Sequence, residues 1–228
     1  MATDFLAAVA ETSQKRKITL DEGTVLWRAQ RGCNVSYSTG GFREWKENIN
    51  YLYTPYRPDR MYPQKDKVSE GRVNPKGIPC LYLASDKETA MSEVRAWKGS
   101  KVTVASFRTK TELSLVDCTP PAPRTTPPSR YPTDQEWAEL YNWFEISRGF
   151  SEPITLADDV ADYAPTQVLA ELFRQNGFDG IIYKSELGEG DNVALFDVAS
   201  ATILECFLFS VTSIQYAFRE VPLSEQRS

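Results

Sequence analysis

Five short apolar segments, several of them bounded by turns that contain glycine or proline, predict β-strands. They span residues 24–30, 79–84, 101–107, 179–184 and 193–197. Residues 113–118 are a further strand candidate, and residues 201–219 are expected to hold one or two more. The glycine-containing stretch 186–192 separates two of these segments and predicts a turn.

Helical spacing follows the second strand candidate directly. Ser85 and Glu88 fit an S-x-x-E capping box, which predicts a helix from about residue 86 to residue 98 with Gly99 as its cap. The expected buried stripe consists of Ala90, Met91, Val94 and Trp97. Glu93 lies one position from this stripe.

Three further helices are predicted. Residues 3–11 form a short amphipathic stretch, and Thr133 with Glu136 gives a second capping box for a helix to about Arg148. Its large apolar residues on one face are Trp137, Leu140, Tyr141 and Phe144. A last helix lies between Pro165 and Gly177. Strands and helices do not alternate regularly, so the pattern favours an α+β fold over a doubly wound sheet.

Two segments show neither the apolar pattern of a strand nor the spacing of a helix. Residues 33–70 are rich in Tyr, Pro, Asn and Arg and are interpreted as a long ordered loop, its tyrosines serving loop packing rather than a binding platform. Residues 119–132 are rich in proline and are expected to form a surface crossover. The length of 228 residues suits a single domain over residues 1–228.

Composition narrows the functional classes. The net charge is −5 and no long basic tract is present, so nucleic acid is a poor candidate partner. The four cysteines are far apart and suit buried thiols in a reducing compartment. No signal peptide and no membrane-length apolar run is visible, so a cytoplasmic protein without membrane attachment is expected.

The chain contains no histidine. This excludes Ser-His-Asp and Cys-His nucleophile systems. Without clustered cysteines, it also makes a zinc site a poor hypothesis, so no metal and no bound cofactor is predicted. Any catalysis would have to use carboxylate, hydroxyl, guanidinium or amine groups.

Four segments, in this order, resemble the RES domain, a family named for an arginine, a glutamate and a serine. They are LWRAQ (26–30), GRVNPKGIPCLYLASDKETAMSEVR (71–95), YAPTQVLAE (163–171) and GFDGIIYKS followed by GDNVALFD (177–197). Arg28, Glu93 and Ser185 occupy the three naming positions, and Arg72 and Tyr82 match further pocket positions. The resemblance covers about residues 20–200, and segments 33–70 and 119–132 have no counterpart in it.

The resemblance implies a fold related to ADP-ribosyltransferases, with two small, mostly antiparallel sheets around a central NAD cleft and flanking helices. It implies a toxin that cleaves the nicotinamide–ribose bond of NAD⁺ by phosphorolysis or hydrolysis, with NAD⁺ as substrate and inorganic phosphate as an optional co-substrate. It also implies an antitoxin protein that blocks the cleft. Whether the chain forms a homo-oligomer stays open.

This chemistry is compatible with a chain that lacks histidine. Nicotinamide leaves as a neutral group, and the oxocarbenium-like ribose can be stabilised by a carboxylate, for which Glu93 is the candidate. Arg28 and Arg72 could bind the pyrophosphate. Ser185 could orient the nicotinamide amide or a ribose, and Tyr82 could pack against a ring.

Simpler interpretations of the same residues exist. Glu93 could be a solvated helix residue, Arg28 could form an ion pair at a sheet edge, and Ser185 could start a turn. Gln167 and Asn192 could touch ligand or only hold turns, and they stay outside the predicted catalytic set.

Three functions therefore stay open. They are an NAD⁺-degrading toxin, an ADP-ribosyltransferase that modifies a protein or nucleic acid, and a non-catalytic NAD- or nucleotide-binding module.

Overall fold

The computed structural model describes residues 2–43, 46–64, 67–120, 133–152, 163–218 and 220. Within these ranges the α-helices are α1 (Ala2–Ser13), α2 (Pro58–Met61), α3 (Lys87–Glu93), α4 (Asp134–Ser151) and α5 (Ala164–Gln175). The strands are β1 (Lys17–Leu20), β2 (Val25–Arg31), β3 (Asn34–Arg43), β4 (Lys46–Thr54), β5 (Leu81–Ala84), β6 (Lys101–Thr109), β7 (Leu113–Asp117), β8 (Gly180–Lys184), β9 (Asp191–Leu195) and β10 (Ala201–Ser210). Short 3₁₀ turns occupy Gln14–Arg16 and Val198–Ser200.

Eight strands form one hydrogen-bonded sheet in the order β1-β7-β8-β9-β5-β2-β6-β10, and β3 and β4 form a separate ribbon. Among the described strands, only the β7–β8 pair is parallel. The junction between β2 and β5 consists of a single residue pair, Trp27 with Ala84. The large sheet is therefore split into a five-stranded and a three-stranded half, and the predicted α+β class with mostly antiparallel strands is confirmed.

The two halves share one core. Leu26 and Phe107 from the three-stranded half belong to the same buried cluster as Leu81, Leu115 and Leu195 from the five-stranded half. The opposite face of the five-stranded half is covered by helices α1, α4 and α5. Their buried side chains include Val9, Trp143, Phe150 and Phe173. Burial of these apolar side chains on both faces holds β8 and β9, which carry part of the candidate site, in a fixed position.

The five principal strand predictions agree with β2, β5, β6, β8 and β9 to within two residues at each end. The prediction of a long loop over residues 33–70 was wrong, because β3 and β4 pair in register from Asn34–Thr54 to Arg43–Lys46, with one irregularity. The described side chains of this ribbon include exposed Tyr37, Tyr51 and Leu52. A ribbon that buries little apolar surface lacks the one-sided pattern that reveals a strand in sequence.

The predicted helix over residues 86–98 is shorter than expected, because α3 ends at Glu93. Arg95 has a φ of 45°, a left-handed conformation that cannot continue a right-handed helix. As a result Trp97, which was expected in the buried stripe, is 69% exposed. The N-cap was also misassigned: Asp86 Oδ1, rather than Ser85, accepts from the Thr89 N–H at 2.7 Å.

The capping box of α4 is present, with Thr133 and Glu136 bonded reciprocally, and the helix continues past Arg148 to Ser151. The aromatic residues Trp137, Tyr141 and Phe144 are exposed, since the buried face carries Trp143 and Phe150 instead. Most of the proline-rich segment 119–132 lies outside the described residues. No helix within the described ranges combines the length and apolar character that a membrane crossing needs.

Candidate active site

Glu93 is the last residue of α3, and this short helix is fixed at its other end by the loop that joins β8 to β9. Asp86 caps the helix, and the Gly190 N–H donates to Thr89 Oγ1 at 3.0 Å. A Cβ on Gly190 would overlap Asp86 Oδ2 and Ser85 Oγ, so only glycine allows the loop to approach this closely. The start of α3 is thereby tied to the β8–β9 loop.

The carboxylate of Glu93 is held by two neutral donors from the same pair of strands. Its Oε1 accepts from Ser185 Oγ at 2.6 Å and from Asn192 Nδ2 at 2.8 Å. Ser185 and Asn192 are buried, whereas Glu93 itself is exposed at a cavity. Because both bonds converge on one oxygen, the carboxylate is oriented while it stays accessible from the cavity.

The hydroxyl of Ser185 is fully used within the protein. It donates to Glu93 and accepts from the backbone N–H groups of Leu187 at 3.2 Å and Gly188 at 3.0 Å. One donor and two lone pairs are all that a serine hydroxyl offers. Ser185 therefore orients Glu93 and the loop that follows β8.

The cavity at Glu93 has a volume of about 250 Å³ and is lined mainly by polar side chains. Its lining includes Arg72, Glu93, Arg95, Ser151, Tyr183 and Asn192. The guanidinium of Arg72 donates to the carbonyl of Phe150, which ties the segment before β5 to the end of α4. Burial raises the pKa of the Tyr183 phenol, so this residue presents a neutral ring to the cavity.

Arg28 lies on β2, one residue past the single pair that joins the two halves of the sheet. Its Nη1 donates to the carbonyl of Tyr82 on β5 at 2.9 Å, so the guanidinium bridges the split. Within the described ranges, its buried Nε has no hydrogen-bond partner. Burial removes water from the Arg28 guanidinium and lowers its pKa from the usual value. An anionic partner would stabilise this buried cation.

Arg28 faces a second cavity of about 290 Å³, whose lining includes Arg60, Lys67 and Tyr82. The Tyr82 hydroxyl donates to Asn74 Oδ1 at 2.6 Å and accepts from the Val73 N–H at 3.1 Å. Burial raises the pKa of Tyr82 well above its usual value, so it stays neutral. Tyr82 thus holds the segment 71–74, which contributes Arg72 to one cavity and Asn74 to the other.

The pairing pattern sets the distance between the two cavities. Trp27 pairs with Ala84, and Ala84 pairs with Asn192 on its other side. Two strand spacings correspond to about 10 Å, so the backbone beside Arg28 lies about that far from the backbone of Asn192. A single dinucleotide can extend over such a distance.

The structure brings the predicted residues together in two groups. Glu93 and Ser185 are in direct contact, with Arg72 on the same cavity wall, and Arg28 and Tyr82 are in contact at the neighbouring cavity. Their catalytic and binding roles stay predictions.

Two residues at the site escaped the predicted set. Asn192 was left undecided and Ser151 was not considered, because neither belongs to a local pattern. Gln167 was also left undecided, and it holds a turn: its Nε2 donates to the carbonyls of Gly71 at 2.9 Å and Asn74 at 3.2 Å.

A larger cavity of about 620 Å³ lies elsewhere, between α5 and the segment 73–80. Its walls are mostly apolar and it contains none of the predicted site residues, so its size does not make it the candidate active site. Across the described part of the chain, no group of three or more His, Cys, Asp or Glu residues could hold a metal ion.

Comparison with known proteins identifies the family to which this chain belongs. The family model of the RES domain matches residues 25–208, which include Arg28, Arg72, Glu93 and Ser185. The chain therefore belongs to the RES domain family. No curated protein matches it by sequence.

One solved structure that the structure comparison matches to this chain is the M. tuberculosis MbcT-MbcA toxin-antitoxin complex. The similarity covers 89% of this chain and 92% of the other chain, with 13% identity and a TM-score of 0.45.

Proposed function

We propose that this chain is the toxin of a toxin–antitoxin pair and that it degrades NAD⁺ by breaking the bond between nicotinamide and ribose. The observation that carries the proposal is the oriented carboxylate of Glu93, fixed by Ser185 and Asn192 yet exposed at a polar cavity. Membership of the RES domain family supports the same assignment.

Glu93 would stabilise the transition state. As the bond from the ribose C1 to the nicotinamide nitrogen breaks, its electron pair stays on that nitrogen and positive charge develops on the ribose. A carboxylate at this position interacts more strongly with the developing cation than with the ground state. Two donors on one carboxylate oxygen restrict its motion, so little reorganisation is needed when the charge appears.

Arg28 would bind the pyrophosphate. Its buried Nε without a partner, its lowered pKa and the nearby Arg60 and Lys67 all favour an anionic group in the second cavity. Each cavity is slightly smaller than the range of about 300–1,000 Å³ typical of complete ligand sites. One dinucleotide would therefore occupy both cavities, with its nicotinamide ribose at Glu93.

The acceptor is proposed to be a small molecule, because the cavity at Glu93 is small. With water as the acceptor, the products are nicotinamide, ADP-ribose and a proton. With inorganic phosphate, the products are nicotinamide and ADP-ribose 1″-phosphate. An antitoxin partner would restrain this activity by covering the cleft, a proposal that rests on the family.

The test is incubation of the purified chain with NAD⁺, with and without inorganic phosphate, followed by identification of the products. Free nicotinamide with either small-molecule product supports the proposal, and the product identifies the acceptor. Label from NAD⁺ on a macromolecule would instead indicate an ADP-ribosyltransferase. The same test is run on the wild-type chain as purified and after its release from any co-purified partner. If both preparations bind NAD⁺ and neither forms a product, the chain is a non-catalytic binding module.

A further inference from the structure

Two serines belong to the surroundings of Glu93: Ser185 donates to its carboxylate, and Ser151 lines the cavity beside it. The two hydroxyls differ in their hydrogen bonding. The hydroxyl of Ser185 is saturated by Glu93, Leu187 and Gly188. Within the described part of the chain, the hydroxyl of Ser151 has no partner at all. The Ser185 hydroxyl therefore has no hydrogen-bonding position left for a ligand, whereas the donor and both lone pairs of the Ser151 hydroxyl remain available.

Ser151 is the last residue of α4, is 9% exposed and lines the cavity. A buried hydroxyl without a partner costs free energy, and such groups are uncommon unless something outside the protein satisfies them. The end of α4 is also held in place, because Arg72 donates to the carbonyl of Phe150, the preceding residue. Ser151 is thus a residue at a fixed point of the cavity wall, and its hydroxyl is unsatisfied.

The surroundings of Ser151 select a neutral polar group. Arg72 and Arg95 line the same cavity as Glu93 and Glu186, so opposite charges are present in equal number. Tyr183 adds a buried, neutral aromatic ring. These charges sum to zero, so the lining favours neither an anion nor a cation overall, and a neutral group with both a donor and an acceptor suits the Ser151 hydroxyl.

We propose that the Ser151 hydroxyl binds the carboxamide of the nicotinamide ring, an inference that rests on the proposed function. With the ribose at Glu93, the pyridine ring is the next part of the substrate, and the carboxamide is its only neutral hydrogen-bonding substituent. The carboxamide offers both a carbonyl and an amide N–H, and a serine hydroxyl can pair with either. Ser151 is therefore a specificity-determining residue for the leaving group.

The test compares NAD⁺ with its analogue in which hydrogen replaces the carboxamide, in the wild type and in Ser151→Ala. Loss of one neutral hydrogen bond should lower kcat/KM for NAD⁺ about tenfold. The analogue should be almost unaffected, so the preference of the enzyme for NAD⁺ over the analogue should fall about tenfold. Any difference in leaving-group reactivity cancels when this ratio is compared between variants.

Ser147→Ala is the matched control, because Ser147 is buried one turn earlier on α4 and lies outside the cavity lining. Ser147→Ala should leave the preference for NAD⁺ over the analogue unchanged. Ser151→Thr keeps a hydroxyl and should retain much of this preference. Ser185→Ala should slow both substrates alike, since Ser185 acts through Glu93. Ser151→Ala removes an unsatisfied group, so its melting temperature should not fall.

Equal losses on the two substrates in Ser151→Ala, or no loss on either, would overturn the assignment. If the wild type releases no nicotinamide, the proposed function fails, and calorimetric binding of nicotinamide and of pyridine then tests Ser151 separately. Tighter binding of nicotinamide that disappears in Ser151→Ala would support the carboxamide contact. Equal binding in both variants would reject it.

Discussion

Replacement of Glu93 by glutamine separates the charge of this side chain from its hydrogen bonds. The carbonyl oxygen of a glutamine can accept from Ser185 and Asn192 just as Oε1 of the carboxylate does. The fold around α3 should therefore stay intact, with a melting temperature close to that of the wild type. What Glu93→Gln removes is the negative charge that acts on the developing ribose cation.

The size of the effect follows from the difference between charge and hydrogen bonding. Loss of one preorganised electrostatic contact to a transition state typically costs about 3–4 kcal/mol, or roughly 10²–10³-fold in kcat. Because the charge matters little before the bond breaks, affinity for NAD⁺ should change by less than about threefold.

Glu93→Ala provides the contrast, because it leaves the buried Ser185 and Asn192 donors without their acceptor. Such a loss costs about 1–3 kcal/mol of the free energy of unfolding. For a domain of this size that corresponds to a melting temperature lower by several degrees.

The assay is paired: nicotinamide release gives kcat, calorimetric titration gives Kd for NAD⁺, and a melting curve is recorded for each variant. A folded Glu93→Gln enzyme with near-normal kcat would reject Glu93 as the catalytic carboxylate. Activity that falls only in proportion to the folded fraction would instead assign Glu93 a structural role.

Three further predictions concern the surroundings of this carboxylate. Arg28→Ala should raise Kd for NAD⁺ by about 10–100-fold, because it removes a charge-assisted contact that is present in ground and transition states alike. Titration of NAD⁺ into a chain that also carries Glu93→Gln measures this Kd without turnover. An unchanged Kd would contradict the assignment of Arg28 to the pyrophosphate. Gly190→Ala should lower both the melting temperature and activity, since the added Cβ overlaps Asp86 Oδ2 and Ser85 Oγ. A variant that melts and turns over like the wild type would contradict the importance of this close approach. The hydrogen bond from the Thr89 backbone N–H is the main cause that lowers the pKa of Asp86. The ionised Asp86 therefore stabilises the folded state above the usual carboxyl range near pH 4, and this contribution is lost as the pH falls through the lowered, folded-state pKa. Asp86→Asn should therefore reduce the difference between melting temperatures at about pH 5 and pH 3, and an unchanged pH profile would show that Asp86 contributes nothing as a charged cap.

The strand predictions succeeded where one local pattern decided the outcome. Strands β2, β5, β6, β8 and β9 are runs of apolar residues that the chain buries, and their boundaries follow turn residues close in sequence. The capping box of Thr133 and Glu136 and the left-handed Gly177 after α5 are local as well. These features depend on residues no more than a few positions apart.

The ribbon β3–β4 and the end of α3 were missed for a different reason. The ribbon is held by backbone pairing between strands with exposed side chains, so no one-sided apolar pattern marks it. The helical spacing of Val94 and Trp97 favoured a longer α3, yet the chain turns at Arg95. Helical propensity over one turn is worth too little to outweigh the tertiary contacts that determine where the chain goes.

For the site, the amino-acid sequence shows which residue types are available and, through resemblance to the RES domain, points to Arg28, Glu93 and Ser185. The contacts of each of these residues depend on how the chain packs in three dimensions. The bond between Glu93 and Asn192 joins residues 99 positions apart, and Ser151 reaches the same cavity from the end of a separate helix. Hydrogen bonds of this kind form between elements that meet only when the core is packed, and no local spacing along the chain encodes them.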